Sequence, residues 1–116
     1  MAWCSLTPLD RESLERILDC IQAVDAYVAR AGVDWEADDM AVDAIAKRIE
    51  EIGEAAKRVT PETLQTMPEV NWRGVKGIRE VLAHDYDEIE VGLLADVVRE
   101  NLPGLREAIS TAIAGS

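Results

Sequence analysis

Apolar residues recur along this chain at three- and four-residue steps, the period of an amphipathic helix. Leu14, Ile17, Leu18, Ile21, Val24 and Val28 form a first stripe. Thr7-Pro8-Leu9-Asp10 supplies its start, with Thr as N-cap, Pro at the first helical position and an acid in the first turn. Gly32 supplies its stop. An acidic connection, Val33-Asp-Trp-Glu-Ala-Asp-Asp39, follows, with Trp35 predicted to tuck under the helix ends. The second helix is predicted from about Asp39 to Arg58, with Val42, Ile45, Ile49, Ile52, Ala56 and Val59 on one face. Gly53 and Ala55-Ala56 leave little bulk in its last turns. An interior Gly costs a helix roughly 1 kcal/mol relative to Ala, so close approach by another helix is the expected reason.

Thr60-Pro61 repeats the Thr-Pro start and opens a short helical turn that ends before Pro68. Asn71 is a suitable cap for a fourth helix with Trp72, Val75, Ile78 and Leu82 buried. A fifth begins at Asp87 or Glu88 and turns Leu94, Val97, Val98, Leu102, Leu105 and Ile109 inward. Pro103 has no amide to bond back to Arg99, and Gly104 follows it, so a kink or break is expected there. No segment alternates with period two over any length. The pattern predicts an all-α fold, an up-and-down bundle of four to five helices in one domain spanning residues 1–116.

Composition adds charge to this picture. The net charge is −11, which across the whole surface opposes a nucleic-acid backbone. Yet Lys47, Arg48, Lys57, Arg58, Arg73, Lys76 and Arg79 place seven of the twelve basic residues in the central third, so a local basic face on an acidic body is expected. No apolar run approaches membrane-spanning length. The N-terminus lacks the basic start and long apolar segment of a secretory signal. Cys4 and Cys20 make no metal spacing and read as free thiols of a cytoplasmic protein.

The candidate chemistry lies in Arg79-Glu-Val-Leu-Ala-His84-Asp-Tyr86, which gathers a fixed cation, the only imidazole of the chain and a phenol. Gly74 and Gly77 do not form a phosphate loop, because they sit in a helical pattern without a preceding strand. One His and two distant Cys do not form a zinc site. Metal-free RNA cleavage requires a group to take the 2′-hydroxyl proton, a group to protonate the leaving oxygen, and a cation on the phosphoryl oxygens. His and Arg suit these tasks. Geometry imposes a condition: at roughly 100° per residue, Arg79 and His84 stand about 140° apart on a regular helix. A helix that ends or distorts near His84, or a site shared between two chains, would bring them together. The same residues also suit an ordinary helix end, with His84 favoured by the dipole, Arg79 paired to an acid and Tyr86 packed with its hydroxyl in water. A phosphate-binding regulator built on Arg79 and Lys76 is a further option.

Read together, Ile52-Gly-Glu-Ala-Ala-Lys-Arg58, Val70-Asn-Trp-Arg73, Gly77-Ile-Arg-Glu-Val-Leu-Ala-His-Asp-Tyr86 and Asn101-Leu-Pro-Gly-Leu105 resemble the HepT-like toxins of the HEPN superfamily over nearly the whole chain. The resemblance implies a HEPN-like helical homodimer with the Arg-x4-His sites of both chains lining an interface cleft. It implies a metal-independent ribonuclease toxin of a type II/VII-like toxin–antitoxin pair, with RNA as substrate and no cofactor. A minimal nucleotidyltransferase antitoxin would bind the dimer and transfer AMP from ATP to the motif Tyr. Carried onto this chain, Arg79 stabilises phosphate charge, His84 acts as general acid or base, and Tyr86 is the AMPylation site. Arg73 and Lys76 would add phosphate contacts. The family usually has Asn after the motif Arg, where this chain has Glu80. That departure keeps a second expectation open, a non-catalytic helical dimer that docks a nucleotidyltransferase.

Overall fold

The computed structural model describes residues 6–84 and 88–115. Helix α1 runs Pro8–Ala31, begun by Thr7, whose Oγ1 accepts the Asp10 N–H at 3.1 Å. It stops at Gly32, whose φ of +93° is a backbone region that a side chain disfavours. A 3₁₀ turn at Trp35–Ala37 buries Trp35 as expected. Helix α2, Asp39–Ala56, starts from Asp38, whose carboxylate accepts the N–H groups of Met40 and Ala41 at 3.0 and 3.2 Å. It ends two residues short of the expected Arg58. Its predicted face is buried throughout: Val42, Ile45, Ile49, Ile52, Ala56 and, just beyond the helix, Val59.

Helices α1 and α2 form the long central pair, and α7, Leu102–Ala114, packs on α1. Helices α4, Trp72–Lys76, and α5, Ile78–Leu82, pack on α2. The short α3, Pro61–Gln65, and α6, Val91–Asp96, link these layers. The fold is all-α, as the periodicity predicts, apart from a minimal antiparallel ladder in which Ala83 (β1, Ala83–His84) pairs with Ile89 and His84 with Glu88 (β2, Glu88–Ile89). Among the described residues no helix is long and apolar enough to cross a membrane.

Three features depart from the sequence pattern. The expected fourth helix is divided at Gly77, whose N–H bonds to the Arg73 carbonyl while its own carbonyl accepts the Glu80 N–H, each at 3.1 Å. Glycine's low helix propensity weakens the chain at that point. The helix expected from Asp87 or Glu88 begins instead at Val91, because Glu88 and Ile89 are paired with the preceding strand; Asp87 lies outside the described residues. The break expected at Pro103 takes the form of one π-helical turn, Val97–Asn101, through which the chain continues into α7. Leu102 N–H reaches back to the Val97 carbonyl, and no amide is required of Pro103.

One buried charge holds the start of the chain to its middle. Asp10 is only 1% exposed. Its carboxylate accepts the Thr60 N–H at 3.0 Å, the Thr60 hydroxyl at 2.7 Å and the Thr63 hydroxyl at 2.5 Å. The two Thr-Pro starts therefore work differently: Thr7 receives the Asp10 N–H, whereas Thr60 gives its own donors to the Asp10 carboxylate. Burial pushes the Asp10 carboxyl upward, but the hydrogen bonds from Thr63 and Thr60 together outweigh it and hold the group below its ordinary value. Cys20 is buried and free, with Sγ 3.6 Å from Glu51 Oε1; burial and that carboxylate push its thiol up, away from the reactive thiolate. Cys4 lies outside the described residues.

Gly53 explains its own presence. A Cβ there would stand 3.0 Å from both Ile78 Cγ2 and the Val75 carbonyl oxygen, so α4 and α5 rest directly on the α2 backbone. At Gly104 a Cβ would meet nothing within 4 Å. Gly53→Val should therefore cost about 1–3 kcal/mol in urea unfolding through overpacking, whereas Gly104→Ala should be neutral or stabilising by up to about 1 kcal/mol. Asp10→Asn should cost about 1–3 kcal/mol at neutral pH. Because the folded pKa of Asp10 is lowered, its contribution is complete above the ordinary carboxylate value, about 4, and is lost as pH falls through the folded value. The stability gap between parent and Asp10→Asn should narrow in acid, as read by unfolding at a series of pH values.

Candidate active site

The basic residues lie on a segment anchored at both ends. Asn71 opens α4 by accepting the Gly74 N–H on Oδ1 at 3.1 Å. Trp72 is buried, and its indole Nε1 donates to the Met67 carbonyl at 3.2 Å. Further along, Leu82 is buried and its carbonyl accepts the Glu90 N–H at 3.0 Å, closing α5 against the start of α6. Between these anchors the segment presents its polar side outward: Arg73 and Arg79 are exposed and Lys76 is half-buried.

The broad basic face expected from sequence is narrower in three dimensions. Arg48 is committed to Glu51 at 3.1 Å and to the Tyr27 hydroxyl at 3.2 Å, and Lys57 to Glu54 at 3.2 Å. Three basic residues outside the central third also bind acids on other elements, Arg16 with Glu51, Arg99 with Glu36 and Arg106 with Asp25. Among the described residues no ion pair involves Arg73, Lys76 or Arg79. Arg73 and Lys76, three residues apart on α4, share a helical face. Arg79 follows the Gly77 turn, so its position relative to them is set by that turn rather than by helical periodicity.

The backbone also meets the geometric condition for Arg79 and His84. Helix α5 ends at Leu82, and His84 lies in the ladder opposite Glu88, so the two motif residues are not held at helical phase. The side chain of His84, and all of Tyr86, lie outside the described residues. Glu80, the departure from the motif, is exposed, with Oε1 3.7 Å from where a Cβ of Gly77 would stand. Its carboxylate thus turns back over the start of α5. Sequence reasoning missed the ladder, because two residues per strand are too few to produce an alternating pattern.

The short α5 of this helical bundle thus carries Arg79 and ends before His84. Residues 17–112 match the family described as "Ribonuclease HepT-like". The chain belongs to the HepT-like ribonuclease family. It is 28% identical over 97 residues to the "Probable ribonuclease HepT" of Thermococcus cleftensis, covering 83% of this chain and 88% of that one. It is 30% identical over 97 residues to a Methanocaldococcus jannaschii protein named "Gamma-glutamylcyclotransferase and putative RNase", covering 83% of this chain but 44% of that longer protein. The chain thus spans less than half the length of that relative. No solved structure matches.

The anchoring predicts a separable effect. Trp72→Phe keeps the ring packing but removes the Nε1 donor to Met67, and should lower stability by about 0.5–1.5 kcal/mol. Thermal unfolding of the variant checks this, and an unchanged midpoint would show that the bond contributes nothing.

Proposed function

We propose that this chain is a metal-independent endoribonuclease toxin acting as a homodimer. The end of α5 at Leu82 carries the reading, since it frees His84 from the helical phase that would hold it away from Arg79. Membership of the HepT-like family supports it. In the proposed reaction a base removes the proton from a ribose 2′-hydroxyl, and that oxygen attacks the adjacent phosphorus. The bond to the 5′-oxygen breaks, and an acid protonates the leaving oxygen. The products are a 2′,3′-cyclic phosphate and a 5′-hydroxyl. His84 takes one of the two proton-transfer roles, and the His84 of the other protomer or a water takes the other. Arg79 holds the charge on the non-bridging oxygens. Arg73 and Lys76 add contacts to neighbouring phosphates, a local attraction on an otherwise acidic body.

Control of the toxin is assigned to a minimal nucleotidyltransferase antitoxin that docks on the dimer and transfers AMP from ATP to the Tyr86 hydroxyl, releasing pyrophosphate. A negatively charged nucleotide beside the phosphate-binding residues would repel and block an RNA backbone. A second reading is favoured by Glu80 and by the −11 charge: a non-catalytic helical dimer that serves as docking partner of the nucleotidyltransferase.

Purified protein should cleave RNA in the presence of EDTA and leave cyclic or 3′-phosphate ends. Arg79→Ala and His84→Ala should each lower the rate by at least about 100-fold and relieve growth arrest on expression. Arg73→Ala and Lys76→Ala should act mainly on KM and its salt dependence. RNA left intact by protein that still binds its nucleotidyltransferase would select the second reading. After co-expression with that partner, the intact mass should rise by whole AMP increments, and Tyr86→Phe should abolish the rise.

A further inference from the structure

Helices α4 and α5 pack on α2, and α7, continuing from α6 through the π turn, packs on α1. Between these two groups lies an open groove of about 610 Å³. Its floor and walls are aliphatic: Ile49 and Ile52 from α2, Val75 and Ile78 from α4 and α5, Val97 and Leu105 from the opposite side. Leu93, also part of the lining, is one of the few large apolar side chains left 40% exposed. The charged lining consists of Glu69, Asp96 and Glu100, all exposed, and includes no basic residue.

These two properties restrict the occupant. Apolar side chains lining a trough between helices suit the apolar stripe of another helix, whose residues at i, i+3, i+4 and i+7 would fill it. Three carboxylates along the lips favour Lys and Arg on either side of that stripe, at distances where complementary charge speeds association and fixes orientation. RNA is disfavoured by the same carboxylates. A second copy, as proposed above, meets this chain on the side of α4 and α5 that bears Arg73, Lys76 and Arg79, which leaves the acidic rim to a different partner. We propose that the groove is a docking site for an amphipathic helical segment of a partner protein, apolar on one face and cationic along its flanks. The assignment does not depend on ribonuclease activity. An occupant would press on Val75 and Ile78, in the segment that also carries Arg73, Lys76 and Arg79, and so would contact the scaffold of the candidate active site from its inner side.

The test uses the full chain and three synthetic peptides. One has Leu at i, i+3, i+4 and i+7 with Lys elsewhere; the second replaces Lys by Glu; the third shuffles the first at constant composition. In a titration followed by amide chemical shifts, the patterned Leu/Lys peptide should bind with one-to-one stoichiometry and move the signals of Ile52, Gly74, Val75, Gly104 and Leu105. The shuffled and Leu/Glu peptides should bind at least about tenfold more weakly. A Glu69→Lys, Asp96→Lys, Glu100→Lys variant, altered only at exposed positions, should lose about tenfold for the Leu/Lys peptide and gain binding of the Leu/Glu peptide. Gly104→Trp, which places a ring where a Cβ meets open space, should weaken the Leu/Lys peptide by a similar factor at an unchanged unfolding midpoint. Equal binding of the shuffled peptide, or shifts confined to another face, would overturn the proposal. A parent dimer that Gly104→Trp converts to monomer would overturn it as well, by assigning the groove to a second copy.

Discussion

The arrangement of this bundle depends on an absent side chain. At Gly53 the backbone of α2 is open, and the Val75 carbonyl and the Ile78 methyl occupy the space a Cβ would need. That contact sets how deeply α4 and α5 sit, and therefore where Arg73, Lys76 and Arg79 emerge. It also fixes one wall of the apolar groove, since Val75 and Ile78 face it as well as Gly53. A helix normally resists an interior Gly by roughly 1 kcal/mol, and here the loss is offset by van der Waals contact that no other residue permits. The segment bearing the motif is thus positioned by backbone packing rather than by the chemistry of its own polar residues.

Much of the fold was legible because each long helix carries its own stripe and its own caps. Thr7, Pro8, Gly32 and the aliphatic residues of α1 and α2 act over a few positions, so their pattern survives in one dimension. Gly53 was recognisable as a close-approach site, although its partner was not. Asp10 was legible as an acid in a first helical turn, but not as a group buried by donors fifty or more residues away in sequence, Thr60 and Thr63. Local pattern carries no trace of such a pairing. The division at Gly77 and the two-residue strands were invisible for a related reason. The apolar stripe from Trp72 to Leu82 runs straight across Gly77, and two residues per strand are too few to alternate.

The candidate site was legible as a motif and less so as a shape. Arg79, His84 and Tyr86 stand out by residue type in a chain with one His and few aromatics. What the structure adds is the end of α5 before His84 and the commitment of Arg48 and Lys57 to acids elsewhere. Basic residues that look equivalent in a string of letters are thereby divided into those paired with a nearby acid and those with no ion pair among the described residues. Under the proposed function, this division would leave a phosphate backbone a narrow zone of attraction on a chain of net charge −11. Long-range repulsion from the rest of the body would then disfavour every approach except the one along α4 and α5.

The π turn before Pro103 has a consequence for how this sequence tolerates change. A π turn holds one more residue than the α turn it replaces, so it rotates everything after it by roughly 100° relative to an uninterrupted helix. Leu94 and Ala95 before the turn and Leu102, Leu105 and Ile109 after it are all buried. Within Val97–Asn101 the chain is therefore more tolerant of a lost position than a regular helical turn would be. Conservative exchanges there leave the phase of α7 intact. Loss of a single residue there would convert the turn to ordinary α geometry and leave α7 in its present phase against α1.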